Sequence, residues 1–438
     1  MLREDAERIY SGAIRACIPD SAVTEAMKSF ALPEGRLILI SIGKAAWKMA
    51  KRARDIVILE LGGKIDAGAV ITKYEHSEGE IPDLEIYEAA HPIPDDAGVF
   101  ATERILEMTE NLTERDTLLF LVSGGGSALF ESPLCSLSEL TALTKKLLAS
   151  GADINEINSV RKHVSKVKGG RFAEHIYPAK FFAIALSDVL GNRLDTIASG
   201  PTAPDVSTSS EVRDVLSKYG IDASEQVLEA LALETPKSIS NGVHCIGGSV
   251  SELCREAQKI CESLGYKTEI ISESEAGIAR EVGARLARLA VEKCDTDIPL
   301  AYIIGGETVV KIKGNGLGGR NQETALAATP IISGHNNIAV FSVGSDGTDG
   351  PTDAAGGYVD GNSYTNMTRA GINPLSALED NDSYNALSSI GCLIVTGPTG
   401  TNVNDVAVAL IRPRLPDVAD NTQRFANLER VLNEGIGK

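Results

Sequence analysis

The stretch TLLFLVSGGGSALF, residues 117–130, joins an apolar run to three consecutive glycines and then returns to apolar residues. The run TLLFLV has the length and composition of a buried strand. Glycine buries nothing and costs conformational entropy. Three glycines at a strand end therefore indicate either a tight structural turn or a ligand that touches the backbone, and the rest of the chain bears on the choice.

Short apolar runs alternate with helical patterns over the first half of the chain. RLILIS (36–41), AGAVIT (67–72), TLLFLVS (117–123) and FFAIALSD (181–188) predict strands, with helical periodicity between them. Continuous apolar strands that alternate with helices are typical of a mostly parallel sheet with helices on both faces. We therefore expect an α/β fold.

A change of composition predicts a domain boundary near residues 235–242. The alternation restarts at GVHCIGG (242–248), and the later chain is rich in strands and glycines with shorter helices. This predicts a first domain over 1–238 and a second α/β domain with a mixed sheet over 239–438. A last helix, at about 420–434, fits against either domain.

Composition limits the function. The 438 residues carry a net charge of −18 and are 43% hydrophobic, which argues against a general nucleic-acid or anionic-membrane binder, since such proteins need a basic surface. No signal-peptide pattern is visible, and no apolar run approaches the roughly 18 residues of a membrane span. The seven cysteines are scattered without a CxxC motif, which predicts reduced, metal-free thiols in a cytoplasmic protein.

Five loops share one design, in which a strand end is followed by glycines and polar residues. They are SIGKAA (41–46), VSGGGSA (122–128), LSDVLGN (186–192), GLGGRNQE (316–323) and GSDGTDGPTD (344–353). Glycines let backbone N–H groups approach phosphate oxygens, and ligands of open α/β sheets bind outside the carboxyl ends of strands. The loops predict a large polar, phosphorylated ligand. The sequence lacks a Walker A motif, and no GxGxxG follows the first strand, which disfavours a dinucleotide dehydrogenase.

Two cations stand beside these glycines. Lys44 lies between a strand end and a helix start, where it would neutralise a phosphate or a substrate carboxylate. Arg320 lies among three glycines and would hold a carboxylate bidentately or stabilise charge on a transferring phosphoryl group. The alternative for each is an ordinary surface position. The basic segment 161–175 fits an exposed helix face or a positive patch for anionic ligands, and His91 fits a structural or a catalytic role.

Several aspartates occupy the same loops. Asp188 ends a buried strand, where a carboxylate is unfavourable unless it is paired or bound to a cation. Asp346, Asp349 and Asp353 share one glycine-rich loop. Mg²⁺ is held by one or two carboxylates together with waters and phosphate oxygens. The alternative is that these aspartates cap turns and helices.

The motifs INSVRKHVSKVKGGRFA, LSDVLGN, IASGPTAPD, GLGGRNQE, GSDGTDGPTDAAGG and TGPTGTNVNDV together resemble the ATP-dependent glycerate 2-kinases, which carry a C-terminal module named MOFRL. The similarity runs from about residue 36 to about residue 410. The resemblance implies a Rossmann-like first domain, a mixed-sheet MOFRL domain and an active site in the cleft between them. It also implies ATP, Mg²⁺ or another divalent cation, and phosphorylation of D-glycerate at its 2-hydroxyl to give 2-phosphoglycerate and ADP.

The resemblance suggests roles for the glycine run and the two cations. Lys44 and Arg320 would neutralise the transferring phosphoryl group and the substrate carboxylate. Backbone amides and two hydroxyls of one run would cradle phosphate oxygens, in residues Ser123, Gly124, Gly125, Gly126 and Ser127. On this interpretation the three glycines are there for a ligand.

The acids would complete the site. Asp188 would be a metal ligand or the base that receives the substrate hydroxyl proton, while Asp346 and Asp349 would support Mg²⁺. Four further residues are candidates for the lining of the cleft: Asn321, Glu323, Thr399 and Asn402.

Two other functions remain open at this stage. A nicotinamide-dependent hydroxypyruvate reductase is the first, because members of this family long carried that label. A non-catalytic nucleotide-binding regulator is the second. The expected partner is the small-molecule substrate D-glycerate, and a homodimer is one assembly that the sequence leaves open.

Overall fold

The computed structural model describes residues 2–186 and 193–414, which form two six-stranded sheets with helices packed against them. The strands are β1 Leu37–Ile42, β2 Ala67–Lys73, β3 Glu85–Ala89, β4 Thr117–Val122, β5 Lys180–Leu186, β6 Gly242–Gly248, β7 Lys267–Glu275, β8 Leu300–Gly306, β9 Ile338–Gly344, β10 Gly356–Asp360, β11 Leu393–Ile394 and β12 Asp405–Ile411. The helices are α1 Leu2–Ala16, α2 Pro19–Met27, α3 Ala46–Asp55, α4 Asp96–Met108, α5 Gly126–Leu129, α6 Leu137–Ala149, α7 Ile154–His163, α8 Arg171–His175, α9 Ser209–Lys218, α10 Glu225–Ala232, α11 Val250–Ser263, α12 Ala279–Glu292, α13 Arg320–Ile332, α14 Ser363–Arg369, α15 Pro374–Glu379 and α16 Ser383–Ser388. A π-helical turn, Ile56–Glu60, follows α3, and a 3₁₀ turn, Ile197–Ser199, precedes α9.

The first sheet is parallel throughout, with strand order β3-β2-β1-β4-β5-β6. This is the order of the doubly wound Rossmann fold. Alternate residues of the buried strand β1 pack on opposite faces: Leu39 packs with α3, and Ile40 packs in the cluster that contains residues of α4. The expected mostly parallel sheet with helices on both faces is confirmed, and the apolar run in β1 follows from burial on both sides.

The second sheet is mixed, in the order β11-β10-β9-β12-β8-β7. Only β7 runs parallel to its neighbour, and the other four pairings are antiparallel. Helices α11, α12 and α13 pack against this sheet in one apolar cluster. The expected mixed sheet of the second domain is therefore confirmed.

The domain boundary given by the pairing of the strands differs from the one predicted from the composition. Strand β6 pairs in parallel with β5, with Phe181 opposite Gly242, so it closes the first sheet rather than opening the second. The composition change before it belongs to the crossover that carries α9 and α10, which pack with α6 and α7 around a small apolar core of their own. The expected boundary at 238/239 thus precedes a strand of the first sheet.

Helix α1 packs with the second sheet, although it precedes the first sheet in the sequence. Its residues Ala6, Ile9 and Ala13 are buried in the same cluster as α11 and the second sheet. The chain then passes to the first domain at Cys17 and returns after Gly248. Within the residues that the structure describes, no helix has the length and apolar character that a membrane crossing needs. The helix expected at about 420–434 lies outside the described residues.

Candidate active site

A cavity of about 450 Å³ lies where the loops of the two sheets meet. The first domain contributes Lys44, Ser123 and Gly124 from the loops that follow β1 and β4. The second domain contributes Asp346 and the segment 400–402. Strands β1 and β4 are neighbours whose following helices pack on opposite faces, so the cavity lies at the point where doubly wound folds bind their ligands.

Hydrogen bonds tie the two loops of the first domain together. The amide of Lys44 donates to the carbonyl oxygen of Gly124 at 2.9 Å, and the amide of Ala45 donates to Oγ of Ser123 at 3.0 Å. Oγ of Ser123 in turn donates to the carbonyl oxygen of Ile42 at 3.3 Å. The buried Ser123 hydroxyl, which the sequence had suggested for phosphate binding, therefore holds the loops in position in this structure.

The middle of the glycine run leaves two backbone donors available. Among the described residues, the amides of Gly124 and Gly125 donate to no protein acceptor. Gly125 has φ 90° and ψ −10°, a left-handed conformation that favours glycine, and consecutive amides next to such a residue form an anion-binding concavity. A Cβ placed on Gly125 would lie 3.2 Å from Cγ of Lys44 and 3.1 Å from Cδ2 of His91.

A cation and a histidine lie beside this concavity. Lys44 is exposed and lines the cavity, and His91 lies beside it. Burial, and then the nearby charge of Lys44, lower the pKa of His91, which favours the neutral form of its ring. The structure thus places His91 at the site, where the sequence had left a structural and a catalytic role open.

The end of the glycine run packs against another segment. Gly126 begins α5, and a Cβ on it would lie 2.7 Å from Cβ of Ala198, so the absence of a side chain permits close packing here. Oγ of Ser127 lies 3.0 Å from Oγ of Ser199. The glycines of the run therefore have both a ligand-related and a structural role. Gly125 shapes a backbone donor site, whereas Gly126 allows α5 to approach the segment that contains Ala198.

Arg320 is paired inside the second domain. Its Nε lies 2.5 Å from Oδ2 of Asp405, its Nη2 lies 3.0 Å from Oδ1, and Glu307 is 3.5 Å from Nη1. Burial lowers the pKa of Arg320, but the hydrogen bonds and charge of Asp405 outweigh this and raise it. Burial raises the pKa of Asp405, and Arg320 opposes that rise. Arg320 is not among the residues that line the cavity.

Asp349, Asn321 and Glu323 lie at the start of α13, away from the cavity lining. Asp349 accepts the amides of Asn321 at 3.1 Å and Gln322 at 2.8 Å, which satisfies the first donors of the helix. Burial raises the pKa of Asp349 to about 6. Glu323 is buried and accepts two hydrogen bonds from Arg280, at 2.9 and 3.1 Å. The structure thus engages all three within the protein.

Asp346, Thr399 and Asn402 lie together at the cavity. Asp346 and Asn402 line it, and the amide of Thr399 donates to the carbonyl oxygen of Asp346 at 3.3 Å. Oγ1 of Thr399 donates to the carbonyl oxygen of Ser345 at 2.5 Å. These two hydrogen bonds from Thr399 therefore hold the loop that carries Asp346. Asp188, proposed from the sequence as a metal ligand or base, lies outside the described residues.

One wall of the cavity was not predicted from the sequence. Glu75, His76 and Glu78, from the segment after β2, line it together with Lys48. Nδ1 of His76 lies 3.1 Å from the carbonyl oxygen of Lys44, and Lys48 pairs with Glu78 at 3.5 Å. Only Lys48 had a local signal, because it is a second lysine in the helix start that follows Lys44. Over 2–186 and 193–414, no group of three or more metal-ligating side chains is present.

Comparisons with known proteins identify the chain's relatives. Residues 5–232 match the family described as "Domain of unknown function (DUF4147)", and residues 300–405 match the MOFRL family. A D-glycerate 2-kinase of Thermotoga maritima is 52% identical over 94% of this chain and 98% of its own length. A glycerate 2-kinase of Pyrococcus horikoshii is 38% identical over 94% and 97%.

The structural comparison agrees. The crystal structure of a glycerate kinase from Thermotoga maritima superposes with a TM-score of 0.89 at 51% identity, covering 94% of this chain and 99% of that one. A more distant relative, at 36% identity over 93% of this chain and 94% of its own length, is a putative hydroxypyruvate reductase of Agrobacterium vitis. The chain therefore belongs to the glycerate 2-kinase family, with a C-terminal MOFRL module.

Proposed function

We propose that this protein transfers the γ-phosphoryl group of ATP to the 2-hydroxyl of D-glycerate, giving 2-phosphoglycerate and ADP. The observation that carries the proposal is the pair of available amides at Gly124 and Gly125 beside Lys44, in a cavity at the switch point of a parallel sheet. The names of two relatives, D-glycerate 2-kinase and glycerate 2-kinase, support the same substrate and position.

The residues present suit the phosphates of a nucleotide. Backbone amides at Gly124 and Gly125 offer donors, Lys44 offers positive charge, and the glycine at 125 leaves room that a Cβ would fill. A volume of about 450 Å³ lies within the usual range of small-molecule sites. Catalysis of phosphoryl transfer depends mainly on positioning and on charge stabilisation. The two backbone amides and the charge of Lys44 are suited to these tasks.

The opposite wall suits a divalent cation. Asp346 and Asn402 offer oxygen ligands at the cavity. Mg²⁺ is commonly held by one or two carboxylates, with waters and phosphate oxygens completing its shell. We propose that Asp346 would hold Mg²⁺, which neutralises charge on phosphate oxygens when bound. Asp349, which the sequence suggested as a second Mg²⁺ ligand, is less suited to that role because its carboxylate caps α13.

Lys44 is the proposed catalytic cation. Its backbone is fixed by Gly124 and His76, while its side chain is exposed to the cavity. A charge held in this way stabilises negative charge that develops on the transferring group without reorganising during the step. The role suggested for Arg320 stays a prediction, since its guanidinium is paired with Asp405 in this structure.

The first test is activity. Purified protein would be incubated with ATP, Mg²⁺ and D-glycerate, and the phosphorylated position read by phosphorus NMR. We expect 2-phosphoglycerate with stoichiometric ADP. Mainly 3-phosphoglycerate would overturn the assigned position, and ATP binding without turnover would favour a regulator. Oxidation of a nicotinamide cofactor in the presence of hydroxypyruvate, at a comparable rate, would favour the reductase.

A further inference from the structure

A second cation lies at the far end of the glycine run. Arg161, on α7, donates from Nη2 to the carbonyl oxygen of Ser127 at 3.2 Å. Lys44 bonds to the near end of the same run through Gly124. The loop whose amides at 124 and 125 face the proposed phosphate site therefore has one cationic residue on each side.

Within the part of the chain that the structure describes, Arg161 has fewer partners than Arg171, the other arginine of its segment. The other lysines and arginines of the basic segment 161–175 are all engaged within the protein: Lys162 with Asp205, Lys166 with Glu103, Lys168 with Glu131, and Arg171 with the carbonyl oxygens of His163 and Ser165. Arg161 is partly buried, and among the described residues no carboxylate pairs with it. Removing a guanidinium from water is unfavourable unless a partner supplies negative charge.

The surroundings of Arg161 are held in an unusual conformation. Ala198, Ser199 and Gly200 have φ values of 51°, 61° and 65°, and two of these three left-handed residues carry side chains. The amide of Gly169 donates to the carbonyl oxygen of Ser199 at 3.0 Å, which fixes the segment. Left-handed non-glycine residues persist where the surrounding structure imposes them, often at ligand sites. Here the strain presents the Ser199 hydroxyl to that of Ser127.

We propose that Arg161 binds the carboxylate of the acidic substrate, with the partly exposed Ser127 hydroxyl beside it for a hydroxyl group of the substrate. The inference rests on the proposed function, because the carboxylate of D-glycerate is attached to the carbon that bears the 2-hydroxyl. A carboxylate held at one end of the glycine run leaves that hydroxyl near the phosphate donors of the same run. Arg320, the earlier candidate for this contact, already has Asp405 as its partner.

Arg161→Gln tests the assignment. We expect KM for D-glycerate to rise about 10²-fold, since a truncated charge pair costs ~30-fold or more, while KM for ATP stays near that of the wild type. The Ki of D-glyceramide, a neutral competitor without the carboxylate, should change little. The KM of Arg161→Lys for D-glycerate should lie between those of the wild type and Arg161→Gln, because lysine keeps the positive charge but lacks the planar guanidinium. Arg213→Gln, at an exposed position on α9, is the matched control and should change none of these constants.

Each outcome separates this inference from the function on which it rests. An unchanged KM for D-glycerate in an active Arg161→Gln enzyme would overturn the role of Arg161 and leave the kinase intact. A parallel rise in KM for ATP and in Ki for D-glyceramide would overturn it too, because it would show that Arg161 only supports the loop. If the wild type does not phosphorylate D-glycerate, the proposed function fails, and equilibrium dialysis of D-glycerate against wild type and Arg161→Lys decides the binding role alone.

Discussion

Replacing Arg320 with leucine should destabilise the second domain, because it leaves the carboxylate of Asp405 buried without its cation. Only 8% of the Asp405 side chain and 32% of the Arg320 side chain are exposed. Breaking a buried ion pair costs ~3–5 kcal/mol, and the partial exposure of Arg320 places this case near ~3 kcal/mol. For a domain of this size each kcal/mol lowers Tm by ~2–4 °C, so Tm should fall by ~6–12 °C.

The loss should depend on pH in a defined direction. Burial already raises the pKa of Asp405 above its unfolded value, and removing Arg320 raises it further. A carboxyl group whose folded pKa is raised binds its proton more tightly in the folded state. The destabilisation is therefore complete above the folded pKa and disappears as pH falls towards the unfolded value of about 3.9. The Tm deficit of Arg320→Leu should be smaller at about pH 5 than at about pH 7.5.

Thermal unfolding of four proteins at both pH values measures this: the wild type, Arg320→Leu, Asp405→Asn and the double variant. Because the two residues contact each other, the double variant should be more stable than the sum of the single losses predicts. A Tm for Arg320→Leu within ~1 °C of the wild type at about pH 7.5, or an equal deficit at both pH values, would refute the reasoning. Lost activity with an unchanged Tm would return Arg320 to the catalytic role that the sequence suggested.

Three further predictions concern the first domain. Lys44→Met should lower kcat by ~10²–10³-fold in a coupled ADP assay, whereas Lys51→Met, on the exposed side of α3, should not; equal kcat values would remove Lys44 from the mechanism. Gly125→Val should raise KM for ATP at least ~10-fold, because its side chain would enter the space beside Lys44; an unchanged KM in a folded variant would make the run purely structural. Glu131→Gln should lower the unfolding free energy by ~3 kcal/mol at neutral pH, because burial already lowers the pKa of Lys168 to about 8 and the loss of Glu131 lowers it further. That deficit should shrink as pH rises towards about 8, where Lys168 also loses its proton in the folded wild type, and a pH-independent deficit would contradict this account.

Local patterns predicted what depends on local sequence. The apolar runs of β1 and β4 indicated a parallel sheet, and the glycines after β4 located the loop at the cavity, because burial and backbone freedom are properties of a few adjacent residues. Arg320 shows the limit. Its partner Asp405 is 85 residues away and begins a strand that pairs with β8 and β9, so no spacing in the sequence joins them.

The edge strand β6 shows a second limit. Gly242–Gly248 is only partly buried, so its residues lack the continuous apolar run that identified β1 and β4. Nothing within the strand tells which sheet it joins; that is decided by the crossover from β5. The wall formed by Glu75, His76 and Glu78 was missed for a related reason, since polar loop residues acquire a role only through what faces them.

The position of α1 has a consequence for how the protein is made. This helix leaves the ribosome well before α11, its main helical partner, which begins at Val250, about 230 residues later. At a translation rate of ~5–20 residues per second, the apolar face of α1, with Ala6 and Ile9, is synthesised ~10–50 seconds before that partner. The first domain can form in the interval, while the second cannot be completed until both ends of its sequence have emerged. Newly made chains therefore expose the apolar face of α1 until α11 has been synthesised, at the stage when chaperones bind such surfaces.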